Sequence, residues 1–224
     1  MGWSLSQAAF NELAQDLVRR GRADACTDRT GHWTWRRVEE NDVGPRQDGM
    51  LIVSGLEWTL DDEDDLEEEG EEEDPAALRT EDLDEDEDPA ALKIDRRRRR
   101  PIVTAECHVA WSVIYNVPVL YFAAHRADGM ALSLHEVLRA IEVMSGGQRL
   151  ETSGLFPSVL LEEHPHLQRP FFCLHPCNTS EVMGELLLAS GNGAPPANEL
   201  LSWLSLAAPL VGIHLPLSLL SSSK

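Results

Sequence analysis

Apolar and polar positions follow two different rhythms along the 224-residue chain. Leu5, Ala9, Leu13 and Leu17 recur at helical spacing, and Ser4 with Gln7 three places on forms a capping box, which predicts a helix ended by Gly21. "HWTWRRVEE" and "GMLIVSGLEW" are strand-like runs joined by the turn formers "NDVGPRQDG", which predicts a β-hairpin. "PIVTAECHVAWSV" alternates, with Val103, Ala105, Cys107, Val109, Trp111 and Val113 on one face and Thr104, Glu106, His108 and Ser112 on the other. Such alternation predicts a half-buried antiparallel strand. "VPVLYFAAH" is apolar on both faces, as a central strand is, with Pro118 near its start and the turn "ADG" after it.

Helical spacing then returns. Ser133 and Glu136 form a capping box ahead of Leu134, Val137, Leu138 and Ile141, and Gly146 and Gly147 stop the run. A loop containing "EEHPHLQRP" leads to "FFCLHPC" and a helix over about 178–189, opened by Asn178 with Glu181. The linker "SGNGAPPAN" precedes a last helix, "ELLSWLSLAA", capped by Asn198 and ended by Pro209. One helix, four antiparallel strands and then helices make an α+β domain, with the helices gathered against one sheet. The length suits a single domain over 1–224.

Charge changes this picture at one place. Of the formal charge of −20, residues 61–95 carry −18, with twenty acidic side chains against Arg79 and Lys93. Arg96 to Arg100 follow, and the rest of the chain carries only −7. The unit "EDPAAL" occurs twice in the acidic stretch, at 73–78 and 87–92. With so few apolar residues to offset ordering entropy, 61–100 is predicted to be a disordered insertion, either a solvated spacer or a docking tract for a basic partner. The acidic balance argues against non-specific nucleic-acid binding. No apolar run reaches the 18 residues of a membrane span, and the N-terminus lacks the order of a secretory signal, so a cytoplasmic protein without stable membrane insertion is expected. Four cysteines without framework spacing fit reduced thiols.

Those cysteines are the chemistry to place. Cys26 lies in a polar stretch and Cys107 on the apolar face of a strand, neither with a local activator. Cys173, inside "FFCLH", reads as a core thiol. Cys177 stands directly before a helix start, where backbone N–H groups and the macrodipole stabilise developing negative charge. Pro176 fixes the chain there and His175 is near enough to orient or polarise. Two other readings stay open on these residues: an inert cysteine beside a helix, and a zinc site drawing on Cys173, His175 and Cys177 with His164, His166 or His108. The zinc reading is weakened by C-x-H-P-C, which strings its ligands along a proline-stiffened chain rather than in a CxxC knuckle. No glycine-rich phosphate loop is present, and no cofactor is expected.

"LHPCNTSEVM" resembles the active-site stretch of the autophagy E2-like conjugating enzymes, relatives of ubiquitin E2s. "ECHVAWSVIYNVPVLYFAAHRADGMALSLHEV" (106–137), "EEHPHLQRPFFCLHPCNT" (162–179) and "LSWLSLAAPLVGIHLPLSLL" (201–220) are similar to one branch of that family, with "WTWR" (33–36) a weaker echo. That branch joins the autophagy ubiquitin-like modifier, protein twelve, to its acceptor, protein five. The resemblance implies an E2-like fold with an N-terminal helix, a curled four-stranded antiparallel sheet and C-terminal helices. It further implies that Cys177 takes the modifier from an E1-like activating enzyme as a thioester and passes it to an acceptor lysine. His175, Asn116 and Tyr115 are then the candidates for polar support. Two features depart from the family pattern: the acidic repeat, and a tail that after "LPLSLL" is only "SSSK". A catalytically inactive E2-like binding module and a zinc-stabilised adaptor are the competing functions.

Overall fold

The computed structural model describes residues 2–21, 31–38, 49–60, 102–146, 156, 158–189, 198–215 and 219. The predicted acidic insertion at 61–100, Cys26, most of the hairpin connection and the linker at 190–197 lie outside the described residues.

Six strands form one antiparallel sheet among the described residues: β1 (His32–Arg37), β2 (Gly49–Thr59), β3 (Ile102–Ser112), β4 (Val117–His125), β5 (Val159–Glu163) and β6 (Pro170–Leu174). Their spatial order is β1-β2-β3-β4-β6-β5. The hairpin β1–β2 and the strands β3 and β4 are those predicted, and the α+β class stands. Expectation and structure differ in strand number, six rather than four. β5 buries only Val159 of its five residues, so it shows no period-2 pattern, and pairing with β6 alone makes it a strand. Its turn carries no glycine either: Gln168 takes φ 52° inside a loop closed by His164 N–H→Arg169 O (2.8 Å). The sequence therefore reads as loop where the chain forms a hairpin.

Helices α1 (Gln7–Gly21), α2 (Leu134–Met144), α3 (Thr179–Ala189) and α4 (Glu199–Ala207) follow in chain order, the last continuing as a 3₁₀ turn, Ala208–Val211. α1 and α2 pack on β2, and α1 also meets α4. The core between them contains Phe10, Leu17, Leu51, Trp58, Phe122, Ile141 and Trp203. Each such side chain withdrawn from water contributes about 1.5–3 kcal/mol, and the Trp58 indole N–H is satisfied by Val211 O at 3.1 Å.

Two helix details correct the sequence reading. α1 starts after Ser6, whose Oγ accepts the Ala9 amide (3.2 Å), so Ser4 is not the cap. Leu5 lies outside the helix, and the buried residues are Phe10, Asn11, Ala14, Leu17 and Val18. The cause is tertiary, because Trp3 and Leu5 commit their backbone groups to distant partners. In α2 the Ser133–Glu136 capping box forms, but Val137, Ala140 and Ile141 are buried while Leu134 and Leu138 are exposed. Asn198 caps α4 as predicted, its Oδ1 accepting the Leu201 amide at 2.8 Å.

The opposite face of the sheet carries a smaller apolar cluster of Met50, Ile52, Ala110, Val119, Tyr121, Phe171 and Cys173. His108, placed by alternation on a polar face, is fully buried there. The β5–β6 turn folds over it and sets the His164 ring edge-on at 5.0 Å, so β3 is not half-buried along its second half.

Candidate active site

β6 sits beside β4 with Tyr121 paired to Cys173 and Phe122 to Phe172. In an antiparallel pair, each step back along β4 is matched by one step forward along β6. Carried past Cys173, that register brings the chain around Cys177 to the end of β4 where Val117 and the preceding turn lie. Two segments distant in sequence therefore meet: the β3–β4 turn, with Tyr115 and Asn116, and the β6–α3 connection, with His175 and Cys177.

The connection is built from local bonds. His175 N–H continues the sheet by donating to Ser158 O (3.0 Å), and Pro176 is buried. Its carbonyl accepts the Thr179 amide (3.0 Å) in a tight turn, and Asn178 O accepts the Val182 amide (3.0 Å) as α3 begins. Cys177 is left exposed at the entrance to that helix.

His175 ties the two segments together. Its Nδ1 accepts the backbone N–H of Cys177 at 3.3 Å, and its Nε2 lies 3.4 Å from the Tyr115 hydroxyl, with the rings edge-to-face at 5.7 Å. A ring nitrogen that accepts an amide carries no proton, so in the neutral ring the proton is on Nε2 and is donated to Tyr115. The Tyr115 O–H is then free to donate elsewhere. The Nδ1 lone pair, engaged with the backbone, is not available to take a proton from the thiol.

Asn116 is held by its backbone. It adopts φ 54°, a conformation Asn tolerates, donates its N–H to Ser112 O (2.9 Å) and accepts Leu5 N–H on its carbonyl (3.0 Å). Its side chain is exposed, and among the described residues it makes no hydrogen bond to Cys177. The structure thus brings Tyr115, His175 and Cys177 into one line, with Asn116 next to it.

The other described thiols have different surroundings. Cys173 is fully buried, and burial, followed by the Glu162 charge, pushes its thiol up to about 12. Cys107 is likewise buried, and burial with Glu106 beside it raises that thiol further. Both are therefore protonated near neutral pH.

The proposed zinc ligands do not converge. Cys173 is buried in the sheet and Cys177 exposed beyond it, while His108 and His164 bond to each other at 3.1 Å. Among the described residues, no group of three or more His, Cys, Asp or Glu is placed to hold a metal ion. The His108–His164 pair itself was not legible, since its members are 56 residues apart and neither has a local signal. Among the same residues, no helix is long and apolar enough to cross a membrane.

The chain matches the family described as autophagocytosis associated protein, active-site domain, over residues 9–218. It is similar to the ubiquitin-like-conjugating enzyme ATG10 of Homo sapiens, 39% identical over 117 residues that cover 52% of this chain and 52% of that protein. To the protein of that name from Arabidopsis thaliana it is 35% identical over 117 residues, 51% of each chain. To that from Dictyostelium discoideum it is 30% identical over 131 residues, 54% of this chain and 56% of the relative. The chain spans about half the length of the curated relatives it matches.

Proposed function

The chain belongs to the autophagocytosis-associated protein family that carries the active-site domain, and on that premise we propose that it is an E2-like conjugating enzyme of autophagy with Cys177 as its nucleophile. The observation that carries this reading is the exposure of Cys177 at the start of α3, its N–H bound to His175, while Cys107 and Cys173 are buried.

In the proposed cycle the Cys177 thiolate attacks the thioester carbonyl of a ubiquitin-like modifier held on an E1-like activating enzyme. The tetrahedral intermediate expels the E1 thiolate and leaves the modifier on Cys177 as a new thioester, an exchange between bonds of similar energy. A lysine of the acceptor, as free amine, then attacks that carbonyl. The C–S bond breaks, the C–N bond forms, and the amine proton passes to solvent.

His175 acts here as a brace that fixes the Cys177 backbone. Tyr115, accepting from His175 Nε2, keeps its own O–H for the oxyanion, and Asn116 supports the turn that carries it. The modifier is taken to be protein twelve and the acceptor protein five, as the resemblance implies. Free thiols agree with a cytoplasmic location. The reading also treats residues 1–224 as one E2-like domain interrupted at 61–100, supported by the pairing of β2 with β3 across that insertion.

The test is a charging assay with E1, ATP and modifier. Wild type forms a reductant-sensitive adduct, and Cys177→Ser converts it to a reductant-resistant ester or abolishes it. Loss of the adduct in Cys173→Ser, with Cys177→Ser unaffected, would overturn the assignment.

A further inference from the structure

Between the two halves of the site, Tyr115 Oη lies 3.4 Å from His175 Nε2, a long contact exposed to solvent. A bond of that length cannot by itself hold two loops in register. A third segment joins them. Trp3 N–H donates to Ser180 O (2.8 Å) while Ser180 Oγ donates to Trp3 O (2.5 Å). Two residues on, Leu5 N–H donates to Asn116 O (3.0 Å), and Leu5 O accepts the Trp111 indole N–H (2.7 Å).

Trp3 and Leu5 therefore commit both of their backbone polar groups, one residue to α3 and the other to the end of the β3–β4 hairpin. Ser180 follows Cys177 by three positions, and Asn116 follows Tyr115 directly. The segment is fixed in turn by the buried Trp3 ring, whose Nε1–H donates to Glu199 Oε2 on α4 (2.6 Å). At Gly2 the backbone approaches α3 so closely that a Cβ would collide with Ser180 Oγ.

We propose that the extended segment Gly2–Leu5 is a strap that sets the distance between Tyr115 and Cys177, with Trp3 as its positioning residue. The proposal rests on the reading of Cys177 as the nucleophile. Trp3 touches no reacting atom; it anchors a segment that reaches Ser180 through its own backbone and Asn116 through that of Leu5. A site of this kind loses rate steeply when its parts drift by fractions of an ångström.

The experiment uses the full chain and the variants Trp3→Ala, Trp3→Phe and Ser180→Ala. Amide hydrogen exchange is read at 112–116 and at 177–182, and single-turnover discharge of the Cys177 thioester to hydroxylamine is followed against amine concentration. Trp3→Ala is expected to speed exchange in both segments and to lower the saturating discharge rate about tenfold with unchanged half-saturation, while Trp3→Phe stays within about twofold of wild type. If Trp3→Ala does not fold, Ser180→Ala, which removes only the hydroxyl bond to Trp3 O, carries the comparison with an expected loss of about threefold. Faster exchange in only one segment, or in both with discharge unchanged, overturns the strap. A wild-type protein that forms no Cys177 thioester overturns the nucleophile reading instead; exchange then still decides whether the strap bridges the two segments.

Discussion

Mild acid should destabilise this protein through a pair of histidines that take no part in the proposed chemistry. His164 Nδ1 accepts the amides of His166 (3.2 Å) and Leu167 (3.3 Å), so its proton is on Nε2. That N–H donates to His108 Nδ1 (3.1 Å), and His108 Nε2–H donates to Glu106 Oε1 (2.9 Å). Every ring nitrogen is engaged, and a proton added to either ring breaks a bond. Burial, followed by the charges of His108, His166 and Arg169, pushes His164 down to about 3. His108 is lowered as well, mainly by burial, with Arg36 and Arg169 adding to the shift and Glu106 opposing it.

An unfolded chain titrates histidine at about 6.5, so between about pH 6.5 and 3 the unfolded state binds more protons and stability falls as pH falls. At about 1.4 kcal/mol per pH unit, His164 alone costs about 2 kcal/mol at pH 5, and His108 acts in the same direction. Relief of the net charge of −20 works the other way, but it is screened by salt while the buried pair is not. Urea unfolding followed by tryptophan fluorescence in high salt, at pH 7.5 and 5, isolates the effect. Wild type should lose about 2 kcal/mol more than His164→Gln over that interval. Equal changes in the two proteins, within about 0.5 kcal/mol, would refute the proton assignment.

Alkylation of the native protein with iodoacetamide, read by peptide mapping, should label Cys177 and spare Cys107 and Cys173 until urea is added; equal labelling of Cys173 would contradict its burial. Tyr115→Phe removes the hydroxyl beside His175 and should leave charging within about twofold while slowing discharge to lysine about tenfold. An unchanged discharge rate argues against the donor role. Ser133→Ala deletes the capping box of α2 and should cost about 1 kcal/mol, a fall of about 2–4 °C in Tm, with adduct formation unaffected. A loss of adduct at unchanged Tm would show that α2 reaches the site.

Local physics was legible in the chain itself. Alternation marked β3, a run apolar on both faces marked β4, turn formers marked the β1–β2 hairpin, and Ser133 and Asn198 announced the caps of α2 and α4, because each signal acts between residues a few positions apart. The string "FFCLHPCNT" likewise separated Cys177, before a helix, from Cys173, among apolar neighbours, and their burial differs accordingly. What the sequence withheld depends on partners far along the chain. β5 is a strand only because β6 pairs with it, and α1 begins after Ser6 because residues before it are bonded to Ser180 and Asn116. His108 is buried by a turn 56 residues away. Tyr115 and His175, 60 residues apart, meet only because β4 and β6 are neighbours in the sheet. The sequence alone determined which thiol to suspect; tertiary structure decided what stands beside it, since hydrogen bonds across a sheet leave no period in the chain that makes them.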